Sequence, residues 1–74
     1  MTFKTGDLVV ITCGDRTVPG TVHFGSSNGK ALMLEFEAIL DGHVGMMPVS
    51  VHDDGSVEAV ITGSLVLLAR RHLQ

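Results

Sequence analysis

The sequence predicts an all-β domain, a small antiparallel barrel or sandwich of five or six short strands. Three observations carry that reading. Short apolar, β-branched runs recur along the chain. Clusters of Gly, Asp, Asn and Ser separate them at roughly the 8–12-residue spacing of small all-β domains. The one segment whose composition favours helix, Lys30 to Leu40, also shows an unbroken alternation of apolar side chains. With 74 residues, 1–74 reads as one domain, with no internal repeat, low-complexity tract or linker.

Each element follows from local chemistry. Gly6-Asp7 is a turn that feeds Leu8-Val9-Val10-Ile11-Thr12-Cys13, a strand by its β-branched content. Gly14-Asp15-Arg16 turns the chain into a second strand, Thr17 to Phe24, where Pro19-Gly20 marks an edge, bend or bulge. Gly25-Ser26-Ser27-Asn28-Gly29 is a hairpin loop. In Lys30–Leu40 the propensities of Ala, Leu, Met and Glu favour helix. The alternation of Leu32, Leu34, Phe36, Ala38 and Leu40, with Glu35 and Glu37 on the opposite side, favours a half-exposed strand, and strand is the prediction. Asp41-Gly42 is a further hairpin turn, His43 to Val51 a further strand, and Asp53-Asp54-Gly55 the next turn. Val57–Ile61 and Leu65–Ala69 are two short strands or one bent at Gly63, and Arg70–Gln74 reads as a tail or a single helical turn.

The opening residues resemble those of the SH3-like small barrels, in particular the first hairpin of KOW-type domains. The matching elements are Gly6-Asp7, the strand Leu8 to Thr12, the loop Gly14-Asp15-Arg16, and Gly20-Thr21-Val22. The match covers roughly the first 25 residues. It implies a five-stranded SH3-like barrel, a fold often found in ribosomal and transcription proteins. KOW-type domains that bind RNA are typically basic, and this chain is not, so only the fold is carried over.

Charge bears directly on function. The net charge is −3, with Lys4, Arg16, Lys30, Arg70 and Arg71 as the basic residues, and none falls between Ala31 and Ala69. That stretch carries Glu35, Glu37, Asp41, Asp53, Asp54 and Glu58. Non-specific nucleic-acid affinity comes from cations that neutralise phosphates, so nucleic acid is not an expected partner. No apolar run approaches the ~18 residues of a membrane span, and no basic-then-apolar leader opens the chain, so the expected compartment is the cytoplasm. Cys13 is the single cysteine, leaving no internal disulfide to reinforce a domain this small.

Several constellations have an ordinary explanation. Gly25–Lys30 has three residues between its glycines and Ala31 after the lysine, which breaks the phosphate-loop pattern. His52 with Asp53, Asp54 and His43 offers metal-ligand chemistry, but no His-x-x-x-His or comparable motif accompanies it. His23 and His72 stand apart from any such cluster. Cys13 and His23 would form a thiol–imidazole pair if they met across the first hairpin, yet nothing supplies a third residue to orient the base. Glu35 and Glu37 share a strand face, where solvation explains them. No catalytic residue, metal or cofactor is assigned.

The segment His43-Val44-Gly45-Met46-Met47-Pro48 is the candidate interface or ligand-binding element. Gly45 within it and Gly42 just before it, two adjacent methionines and a proline interrupt what should be a regular strand. Methionine suits adaptable surfaces, and glycine in a strand marks a bulge or a close approach. The segment is therefore either a subunit interface or pocket wall, or a bulged strand; both readings stand. With 45% apolar residues and no disulfide, the expectation is a non-enzymatic binding or assembly module that self-associates, its partner a second copy or another protein. The alternative is a small-molecule cavity shared between subunits.

Overall fold

The computed structural model describes residues 2–71. Six antiparallel strands close into a barrel in chain order: β1 (Leu8–Cys13), β2 (Arg16–Gly25), β3 (Ala31–Leu40), β4 (His43–Val51), β5 (Val57–Ala59) and β6 (Leu65–Arg70). The closing pair is β1 with β6, registered Val9 on Arg70 and Thr12 on Leu67. There is no helix among the described residues, so none is long and apolar enough to cross a membrane. Arg70 ends β6, and Arg71 donates its backbone N–H to the Leu8 carbonyl at 3.1 Å. These two expected tail residues are thus ordered along the barrel wall; 72–74 lie outside the described residues.

Alternation builds the core. Val9 and Ile11 of β1, Val22 of β2, Leu32, Leu34 and Phe36 of β3, and Met47 and Val49 of β4 all point inward and are buried. Val57, Ala59 and Val66 complete it from β5 and β6. In β3 the alternation overrides helix propensity because the strand face can bury Leu32, Leu34, Phe36 and Leu40 on one side while Glu35 and Glu37 stay in water.

Two positions show how the chain bends to close. At Gly20 a methyl group would lie 2.6 Å from Ile11 Cδ1 and 2.7 Å from the Glu35 carbonyl oxygen, so only a residue without a side chain lets β1, β2 and β3 approach here. At Gly45 (φ +77°) the requirement is conformational. The β3–β4 register slips between Glu35–Met46 and Ile39–Val44, setting three residues of β3 against Gly45 alone. A second bulge falls at His23, between the pairs Val22–Leu34 and Phe24–Met33. Pro19-Gly20 is not a bulge: both residues pair in register with Val10 and Val9. The β3–β4 turn places Asp41 (φ 53°) and Gly42 (φ 77°) both in the left-handed region, the geometry of a two-residue type I′ hairpin.

Candidate functional site

The long strand β2 serves two neighbours in turn. It pairs with β1 over Arg16–Thr21 and with β3 over Gly20–Gly25. Residues Thr17 to Pro19 therefore have no partner on β3, and the barrel wall parts there into a groove of about 860 Å³. Pro19, with no N–H to leave unpaired, suits such an edge. Glu37, Ala38, Gly45 and Met46 form the opposite side. Arg16 Nη1 donates to the Ile39 carbonyl at 2.6 Å, bridging the parted strands. Arg71 Nη2 donates to the Gly20 carbonyl at 2.6 Å, with its buried Nε finding no acceptor among the described residues.

The candidate segment divides by strand parity. Met47 is fully buried and His43 is 9% exposed, so both belong to the interior. Val44 is 76% exposed and Met46 38% exposed, while Pro48 is half-buried and pairs with Met33. Gly45 and Met46 line the groove. His43 Nδ1 lies 2.9 Å from the Asp41 carbonyl, an acceptor, so Nδ1 carries the proton; its buried Nε2 has no partner among the described residues.

The barrel end formed by the β1–β2, β3–β4 and β5–β6 turns brings Cys13 near Asp41. Burial, helped by the Asp41 carboxylate, pushes the Cys13 thiol up, so it stays protonated at neutral pH and is a poor nucleophile. The hairpin register sets Cys13 opposite Arg16, while His23 lies beyond Thr21 at the far end, so no thiol–imidazole pair forms. The Asp41 carboxylate is held below its usual range by the Thr62 and Ser64 hydroxyls. His52 faces Glu58 at 2.6 Å, and the Asp54 carboxylate is held low by the Ser56 hydroxyl and backbone N–H, an ordinary turn. Among the described residues no three His, Cys, Asp or Glu groups converge as a metal site. Glu35 and Glu37 are exposed, with Glu35 3.6 Å from His23. Lys30, after the glycine loop, reaches Asp53 at 2.7 Å, and the loop joins two strands.

Apolar side chains on the outside are the most distinctive feature of the molecule. Val44 pairs with Ile39, itself 58% exposed, on the outer side of β3–β4. The outer face of β6–β1–β2 is a separate surface. From β1 it receives Leu8, Val10 and Thr12, opposite in parity to the buried Val9 and Ile11. From β6 come Leu65, Leu67 and Ala69, alternating with buried Val66; Leu65 and Leu67 are 62% and 58% exposed. From β2 come Thr17, Pro19 and Thr21, in register with Thr12, Val10 and Leu8. All nine positions are uncharged. Sequence reasoning missed this face because each strand taken alone reads only as apolar; closure between β1 and β6 is what joins them.

No family profile, curated protein or solved structure gives a significant match to this chain.

Proposed function

We propose that this protein is a non-enzymatic, cytoplasmic assembly module of SH3-like type whose first partner is a second copy of itself. The exposed apolar surface carries this reading: Leu65, Leu67, Ile39, Val44, Val60 and Ile61 are each between 58% and 76% exposed. Strands of a folded domain ordinarily turn polar residues outward, and contiguous exposed apolar surface marks an interaction site. Association that stabilises the native state by mass action makes the thermal midpoint depend on concentration. The expected result is a midpoint that rises steadily as protein is increased from about 5 μM to about 500 μM; a constant midpoint speaks against assembly.

A second reading rests on the groove. Its volume of about 860 Å³ falls within the range of small-molecule sites. It joins Met46 and Gly45 to the cations Arg16 and Arg71 and the carboxylates Glu35 and Glu37. That mixture suits a polar small molecule with an apolar body. A thermal-shift screen against metabolite-like compounds tests it, and a hit abolished by filling the groove with Met46→Trp, at an exposed lining position, would support it.

A further inference from the structure

Resting on the self-assembly reading, we infer that the face used is the outer surface of β6–β1–β2, docked on the same surface of a second copy about a twofold axis perpendicular to β1. A twofold interface must be complementary to itself, which is demanding for a chain of net charge −3. This surface comes closest to the demand, because its nine outward positions are uncharged and Arg71 enters only at its Leu8–Thr21 end. Two of its three hydroxyls are prepared for burial: Thr12 and Thr17 Oγ1 bond each other at 3.0 Å. The outer side of β3–β4, by contrast, sets the charged side chains of Glu35 and Glu37 directly among its apolar residues, with Arg16 reaching the Ile39 carbonyl beside them, so apposing two copies there would bury charge rather than apolar surface alone.

The borders of the face select the axis. At one end Arg71 is tied to the Leu8 carbonyl through its backbone and to the Gly20 carbonyl through its guanidinium. At the other end, beyond Cys13, stands exposed Asp15 in the β1–β2 turn. Neither has an ion-pair partner among the described residues. The six residues of β1 separate these ends by about 17 Å. An axis lying in the interface and perpendicular to β1 sets Arg71 of each copy beside Asp15 of the other, giving two reciprocal pairs. An axis parallel to β1 opposes like charges. Three strands of this length cover less than the ~800 Å² per partner of a standard interface, so the dimer is expected to be weak and concentration-dependent.

Sedimentation equilibrium on the full chain tests the arrangement. Leu67→Glu and Val44→Glu change net charge equally and both substitute exposed positions, so both should fold. Leu67→Glu should raise the dimer dissociation constant at least about tenfold, and Val44→Glu should leave it within about threefold. Arg71→Asp and Asp15→Arg should each weaken the dimer, and the double charge swap should restore it. A wild type that stays monomeric overturns both assembly and this interface. A dimer lost with Val44→Glu and kept with Leu67→Glu overturns this face while leaving assembly standing. Failure of the charge swap to restore a dimer that Leu67→Glu dissociates overturns the axis.

Discussion

Met46 and Met47 are adjacent and chemically identical, yet parity gives them opposite fates: one is 38% exposed and the other fully enclosed by the core. Met47→Glu should therefore abolish cooperative unfolding, because it places an unpaired charge in the barrel. Met46→Glu should leave the far-UV circular dichroism spectrum unchanged. At Gly20, a methyl group would press on a backbone oxygen that cannot move independently. Gly20→Ala should cost about 1–3 kcal/mol in urea denaturation with no change in m-value, the ordinary penalty of overpacking. Asp7 supplies the pH dependence. Its carboxylate takes a hydrogen bond from Arg70 Nη1 at 2.9 Å, which with the Lys4 backbone N–H holds it below its usual 3.8. A depressed folded-state value stabilises above the unfolded pKa and ceases to do so as pH falls through the folded one. Asp7→Asn should accordingly be less stable than wild type at pH 7, with the gap closing below about pH 3.8 in urea melts. A gap that persists unchanged to pH 2 would show that the Arg70 contact does not depend on the charge of Asp7.

At the scale of elements, the strands were legible where period-two alternation spoke alone or outvoted propensity. Lys30–Leu40 is the instructive case, because its Ala, Leu, Met and Glu content fits either structure and only the facing of Glu35 and Glu37 decides. The Asp41-Gly42 turn was legible because two consecutive left-handed residues have a narrow chemistry. The bulges were not. Glycine at position 45 signals an irregularity, but only the pairing with β3 shows that three residues bulge on the opposite strand. Pro19-Gly20 pointed to a bend, edge or bulge; Pro19 ends the partner-free run of β2 beside the groove and is an edge residue, while Gly20 pairs on both sides. Within the candidate segment, strand parity divides Met46 from Met47. It did not show that His43 turns inward, a consequence of its position opposite buried Leu40 at the mouth of the barrel. The apolar β6–β1–β2 face was beyond sequence reasoning, since its strands lie at opposite ends of the chain.

For the whole molecule, closure pairs every strand with two neighbours and leaves mainly side chains, rather than backbone edges, on the surface. Charge underlies our expectation that nucleic acid is not a partner. Arg70 is occupied by Asp7, Lys30 by Asp53, and Arg16 by the Ile39 carbonyl, so the few cations do not form a phosphate-binding surface. Retention on immobilised DNA or RNA at about 150 mM salt should be nil, and micromolar binding that weakens steeply with salt would contradict this. The central claim is that the exposed apolar side chains exist to be covered by another copy. Sedimentation velocity on the wild-type chain from about 10 μM to about 1 mM tests it most directly. Self-association predicts a weight-average coefficient that climbs from the monomer toward the dimer across that range. A single monomeric boundary unchanged up to about 1 mM would contradict it.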